Sequence, residues 1–262
     1  MKKQIELFFI ALMFYTRLPI PYKVEHTNDK LNQATRYFPV VGWVVGALSF
    51  GMYFAAISVF PATLAVLLSL VVGILVTGAF HEDGLADFFD GFGGGWTKSK
   101  ILEIMKDSRV GTYGMVASIM QLALKYGALL FIVENSMDKP WWFLLLIFIS
   151  YHSLARWAAI QLCFLLDYVR EDELSKAKPI AKKQTGIEKL GVYLLGLLPL
   201  VVLTIVNFKF SFLILPLIPA LLYFKNYLKK WLGGYTGDCL GAFEQIAEVL
   251  VLLTMVALWK YM

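Results

Sequence analysis

Residues 37–80 read YFPVVGWVVGALSFGMYFAAISVFPATLAVLLSLVVGILVTGAF, 44 residues without one charged side chain. A helix needs about 20 apolar residues to cross the hydrocarbon core of a bilayer, so this stretch is about twice too long for a single crossing. Pro61 lies where a turn would divide it, which gives two spans near 38–59 and 62–80. Further apolar runs near 112–133, 140–164, 190–206, 210–224 and 240–259 are each set off by polar or charged segments, for seven spans in all. The 210–224 run is short and carries Pro216 and Pro219. At the N-terminus, Ile5–Tyr15 is an apolar run of only 11 residues that ends at Arg17 and Pro19, which predicts a re-entrant or interfacial helix. It lacks a small-residue cleavage site and is not read as a cleaved signal peptide.

The composition agrees with this reading. Of 262 residues, 59% are hydrophobic and 16% charged, where globular proteins have about 45–50% and about 25%. Mean hydropathy is +0.67. Soluble, disordered, fibrous and nucleic-acid-binding classes are set aside, and the expected fold is an all-α, polytopic integral membrane bundle forming a single domain over residues 1–262. The net charge of +5 then reports topology rather than a nucleic-acid partner. Residues 1–37 hold six Lys and Arg, 81–111 four, 165–189 six and 225–239 three, all on one side of a seven-span chain, whereas the opposite side holds Lys139, Lys209 and Lys260. The positive-inside rule places the basic side in the cytoplasm. Two cysteines, Cys163 and Cys239, suggest neither a disulfide framework nor a zinc site.

Scarce charge makes the remaining polar groups conspicuous. His81-Glu82-Asp83-Gly84-Leu85-Ala86-Asp87-Phe88-Phe89-Asp90-Gly91 directly follows a span. Asp83, Asp87 and Asp90 are spaced i, i+4, i+7, within a stripe of roughly 60° on one helix face. Oxygen ligands of this kind suit Mg²⁺, with substrate phosphates completing its shell; a solvated acidic loop is the plainer alternative. Lys106-Asp107-Ser108-Arg109-Val110-Gly111-Thr112-Tyr113-Gly114 opens the third span. Its glycines could let a phosphate approach a helix start while Arg109 clamps it, although a juxtamembrane basic anchor would look the same. In Gly233-Gly234-Tyr235-Thr236-Gly237-Asp238-Cys239-Leu240-Gly241, Asp238 reads as a metal ligand, a general base or a helix N-cap. Arg17 and Arg36 could face phosphate or lipid headgroups. Inside the spans, His152 and Arg156 stand one turn apart, and Lys125, Glu244 and Glu248 are similar groups at depth that would face a cavity or a partner. The Glu171-Asp172-Glu173 and Lys176 to Lys183 clusters read as a solvated loop. The four polar motifs share one membrane face, which adds up to a site for a phosphorylated substrate.

Residues 77–91, 106–114 and 234–238, together with Phe14-Tyr15-Thr16-Arg17-Leu18-Pro19-Ile20-Pro21, are similar to the signatures of the cobalamin synthase (adenosylcobinamide-GDP ribazoletransferase) family over essentially the whole chain. Two local departures are Phe88-Phe89, where small or polar residues are expected, and Cys239 after the aspartate. The resemblance implies a Mg²⁺-dependent enzyme of the inner membrane that joins α-ribazole or its 5′-phosphate to adenosylcobinamide-GDP, releasing GMP and giving adenosylcobalamin or its 5′-phosphate. Asp83, Asp87 and Asp90, with Glu82, would hold the metal; Arg109 would stabilise phosphate charge; Asp238 or an acidic-helix aspartate would take the hydroxyl proton. Arg17, Arg36, Lys106, Asp107, Gly111, Tyr113, Gly114, Tyr235, Gly237, His152 and Arg156 are the substrate-binding candidates. Association with other corrinoid-pathway enzymes and self-association stay open. The competing readings are a Mg²⁺-dependent alcohol phosphotransferase of the phospholipid type, which would have an arginine where Asp87 stands, and a transporter using His152, Arg156 and Lys125.

Overall fold

The structure is a computed structural model that describes residues 2–20, 27–170 and 186–261. Pro21 and the Glu171–Lys183 run lie outside the described residues. Eleven α-helices follow in order among the described residues: α1 Lys2–Tyr15, α2 Asn28–Ala34, α3 Phe38–Ala56, α4 Ala62–Thr77, α5 Phe80–Gly94, α6 Lys98–Ile104, α7 Thr112–Glu134, α8 Trp141–Leu165, α9 Gly186–Val206, α10 Leu217–Trp231 and α11 Gly237–Trp259. Short 3₁₀ segments, Thr35–Tyr37 and Phe208–Ile214, join α2 to α3 and precede α10.

Six of these stretches are long and apolar enough to cross a membrane, and a seventh crossing is counted only if α4 and α5, bent by 87°, are taken as one broken span. The protein is a multi-pass membrane protein. The expected span at 62–80 therefore stops at Thr77. Gly78 and Ala79 both take left-handed backbone (φ 66° and 57°), which ends α4 and turns the acidic α5 nearly perpendicular to it. The 210–224 run falls within the candidate span Phe208–Trp231, which is built from a 3₁₀ segment followed by α10, with Pro216 and Pro219 at the junction. α1 has 14 residues, about 21 Å long and too short to cross; it buries Leu7, Ile10 and Ala11 in the core.

α8 is the central helix, apolar on nearly all sides and buried along most of its length. α3 packs against it at Gly42 and Gly46, where a Cβ would stand 2.7 Å from the His152 carbonyl oxygen and 2.5 Å from that of Phe148. This small-residue pair lets two backbones approach as membrane helices do when dispersion, not water exclusion, drives association. The outer faces are apolar stripes: Leu64, Leu67, Val71 and Leu75 on α4, and Leu190, Leu194, Leu198, Val201 and Ile205 on α9, are exposed. In water such patches would drive aggregation; in lipid they are the proper surface.

Candidate active site

The bend at residues 78–79 lays α5 across the start of α11. The two helices meet at Gly84 and Gly241: a Cβ on Gly84 would lie 3.1 Å from Asp238 Cα and 3.3 Å from Gly241 Cα. That approach puts Asp238 beside the α5 face carrying Asp83 and Asp87. Asp83 is exposed and Asp87 half-buried. Among the charges acting on Asp87, the carboxylates of Asp238 and Asp83 come first and that of Asp90 is weaker, while Arg170 is the cation set against them. Asp238 lies in the first turn of α11, whose N-cap is Thr236, with its hydroxyl accepting from Cys239 N at 3.3 Å. Asp238 is thus free of the capping role and instead pairs with Arg170, Nη2 to Oδ2 at 2.6 Å.

Arg170 is the functional candidate that the sequence did not single out. It stands in the run Arg170-Glu171-Asp172-Glu173, which reads as an ordinary solvated segment. The pairing of distant backbone places it: Val169 N donates to Tyr235 O at 3.0 Å, and Tyr235 N donates to Asp167 O at 2.9 Å. The chain after α8 is thereby held along the chain before α11, and Tyr235 is buried by that pairing, 1% exposed, with its ring edge-on to Tyr168.

Asp90 has a different placement from Asp83 and Asp87. It is buried, and its two oxygens accept from Gly111 N at 2.7 Å and Gly114 N at 2.9 Å. α7 has no side-chain cap of its own, so Asp90 supplies the cap from α5 and anchors the glycine-bearing loop with a carboxylate at the positive end of the helix. Asp90→Ala is expected to lower stability by about 1.5–3 kcal/mol, the scale of a hydrogen bond to a charged group, read as a lower unfolding temperature in detergent. Arg109 chelates Asp107 on the surface, Nη2 to Oδ2 at 2.6 Å, and those hydrogen bonds hold the Asp107 carboxyl down at about 2. The pair is two residues from Gly111 and so belongs to the same loop. The Tyr113 ring lies over Gly93, where a Cβ would come within 2.6 Å of Cδ2.

The other sequence candidates separate. Arg17 lies against the α4–α5 bend, its amide donating to Val76 O at 2.8 Å. Arg36 is committed to Glu188 of α9 at 2.5 Å and to the Gln33 carbonyl at 3.0 Å, a join between helices. Glu82, one residue from Asp83 and so about 100° round the helix, faces away from the aspartates and lines an internal cavity with Lys125, His152 and Glu248. Gly237 opens α11 and lines a small apolar recess with Phe14, Tyr15, Phe38, Phe80 and His81.

The family description for cobalamin-5-phosphate synthase matches residues 7–256. Several proteins named adenosylcobinamide-GDP ribazoletransferase match over nearly their full length. That of Leptospira interrogans is 41% identical over 97% of this chain and 96% of its own. Those of Shewanella oneidensis, 45% identical over 95% and 92%, and Vibrio cholerae, 39% identical over 100% and 97%, behave alike. The chain belongs to the cobalamin-5-phosphate synthase family. No solved structure matches it.

In this cobalamin-5-phosphate synthase family member, the two departures from the expected motif are packing choices. Phe88 stacks on Phe224 of α10 at 4.9 Å, and Phe224 meets Phe243 of α11 at the same distance, so an aromatic column fastens α5 to both. Cys239 is a buried free thiol under the Thr236 cap, and Cys163 is buried and free as well.

Deeper in the bundle, His152 and Arg156 are enclosed by a network of charges. Arg156 Nη1 lies 2.8 Å from Glu244 Oε1 and 3.5 Å from Glu248 Oε1; Lys125 Nζ is 2.5 Å from Glu248 Oε2; His152 Nδ1 is 2.5 Å from Glu248 Oε1. His81 Nδ1 stands 3.9 Å from Glu244 Oε2. Arg156 lies nine residues before the end of α8, about 14 Å along its axis. A cavity of about 20 Å³ among Glu82, Lys125, His152 and Glu248 has room for a single water. His152, Glu244 and Glu248 could geometrically surround an ion, but Lys125 and Arg156 already supply their positive charge. These groups tie α8 to α7 and α11, and through His81 to α5, beneath the aspartates.

Proposed function

We infer that the protein joins α-ribazole, free or as its 5′-phosphate, to adenosylcobinamide-GDP with release of GMP, the closing step of the nucleotide loop in cobalamin biosynthesis. The near full-length family match carries this reading. The gathering of Asp83, Asp87 and Asp238 beside Arg170 adds a place for the chemistry.

In the reaction, a ribose hydroxyl oxygen bonds to the phosphorus nearer the corrinoid. The bond from that phosphorus to the bridging oxygen breaks, GMP leaves with the bonding pair, and the hydroxyl proton passes to a base. Such a transfer needs charge neutralisation and alignment more than covalent help from protein. The donor set fits Mg²⁺: carboxylate oxygens only, on two helices, converging at an exposed edge where phosphate oxygens could complete the shell. Asp83, Asp87 and Asp238 would hold it; Mg²⁺ there would neutralise the diphosphate and draw charge from the phosphorus under attack. Asp90 positions the Gly111–Gly114 loop, and Arg109 on that loop would meet phosphate oxygens by exchanging Asp107 for substrate. Asp238 is turned toward α5 and held there by Arg170, and a carboxylate oxygen of the cluster left off the metal would take the proton.

The Lys and Arg distribution supports a cytoplasmic site in the inner membrane, since the α5–α7, α8–α9 and α10–α11 connections all lie on the basic side. EDTA treatment of purified membranes is expected to abolish GMP release from adenosylcobinamide-GDP plus α-ribazole, and Mg²⁺ to restore it. Undiminished release after chelation would remove the metal from this scheme, and no release with Mg²⁺ present would remove the transferase reading itself.

A further inference from the structure

Beside the aspartates lies a second, basic feature. Thr97, Lys98, Ser99, Leu102, Lys106 and Val169 line an open cleft of about 600 Å³ with Arg170 as its inner wall. Arg170 belongs to both places: its Nη2 pairs with Asp238 Oδ2 at 2.6 Å, and the residue lines the cleft. Its guanidinium brings a permanent positive charge to the wall of the cleft, suited to phosphate oxygens.

We propose that this cleft is the subsite for the departing nucleotide, a purine nucleoside monophosphate, and for the same group while it is still part of the diphosphate substrate. The proposal rests on the transferase reading above and deepens it. The direction of charge flow decides between the two reactants. The attacking hydroxyl is neutral and brings no charge to its reacting end. The leaving nucleotide gains a negative charge as the bridging P–O bond breaks, and that charge needs cations beyond the carboxylate cluster to receive it. A cleft presenting Lys98, Lys106 and Arg170, with the Thr97 and Ser99 hydroxyls as further donors, accepts that charge where the carboxylates do not. Its volume falls within the range of small-ligand pockets. Arg170 links the two halves: it pairs with Asp238 on one side and lines the cleft on the other.

The test is steady-state kinetics on the full-length protein in membranes, with GMP as product inhibitor. Lys98 is exposed, so Lys98→Glu and the milder Lys98→Gln leave the core untouched. Lys98→Glu is expected to raise both the GMP inhibition constant and the KM for adenosylcobinamide-GDP about tenfold, with Lys98→Gln intermediate and the KM for α-ribazole unmoved. Lys139→Glu, on the opposite connection between α7 and α8, serves as the control and is expected to change none of the three. A rise in the KM for α-ribazole or its 5′-phosphate with an unchanged GMP constant would overturn the proposal by assigning the cleft to the other reactant. No change in any constant would overturn it as well. Failure of the transferase reading looks different: wild-type membranes would then release no GMP at all.

Discussion

Asp87→Asn is expected to lower GMP release by at least about 100-fold at saturating Mg²⁺, with the variant inserting and extracting as well as the parent. The amide keeps the size of the carboxylate, and Asp87 is half-buried and makes no side-chain hydrogen bond among the described residues, so stability should hold. What is lost is the negative oxygen in the middle of the cluster, between Asp83 on the preceding turn and Asp238 on α11. Asp83→Asn is expected to behave the same way. The signature of Asp90→Asn is distinct, because Asp90 holds two backbone amides; its loss should appear in stability as well as in rate. Turnover by Asp87→Asn within a few-fold of the parent would rule out the aspartates as the phosphate-facing centre.

The second large effect concerns stability. Arg156→Ala is expected to destabilise the protein by about 3–5 kcal/mol, the cost of leaving a buried charge without its partner. Arg156 is 1% exposed and lies against both Glu244 and Glu248, themselves buried, so removing it strands two carboxylates inside the bundle. The measurement is the unfolding temperature and the yield of folded protein in detergent. Glu248→Ala should do similar harm from the other side, since Lys125 and His152 both depend on it. An Arg156→Ala protein of unchanged stability that has lost affinity for substrate would support the substrate-binding role expected of Arg156 from its sequence position.

Much of the fold is legible in the chain itself because the bilayer imposes a simple requirement. Every backbone polar group in hydrocarbon must be paired, so an apolar run of sufficient length becomes a helix whatever its neighbours do. This is why Phe38–Ala56, Thr112–Glu134, Trp141–Leu165, Gly186–Val206 and Gly237–Trp259 fall close to the predicted spans. The miss at 62–80 has an equally local cause: two successive left-handed residues at Gly78 and Ala79, one of them not a glycine, are not announced by hydropathy. The 210–224 run lies within the candidate span Phe208–Trp231, and what hydropathy does not fix is its division into a 3₁₀ segment and a helix at the prolines.

By sequence alone, the membrane class, the rough placement of the apolar helices, the clustering of basic residues in alternate connections and the concentration of acid in residues 81–90 are determined, since each depends on local composition and period. Tertiary structure decides what those residues do. It separates Asp83 and Asp87 from Glu82 and Asp90, which neighbour them in the chain but face a buried cavity and a helix start. It brings Asp238 to them from more than 150 residues away through the Gly84–Gly241 crossing, and it recruits Arg170 from an unremarkable charge run. These are contacts between segments far apart in the chain, set by how closely two backbones can approach, and no local pattern of residues encodes that distance.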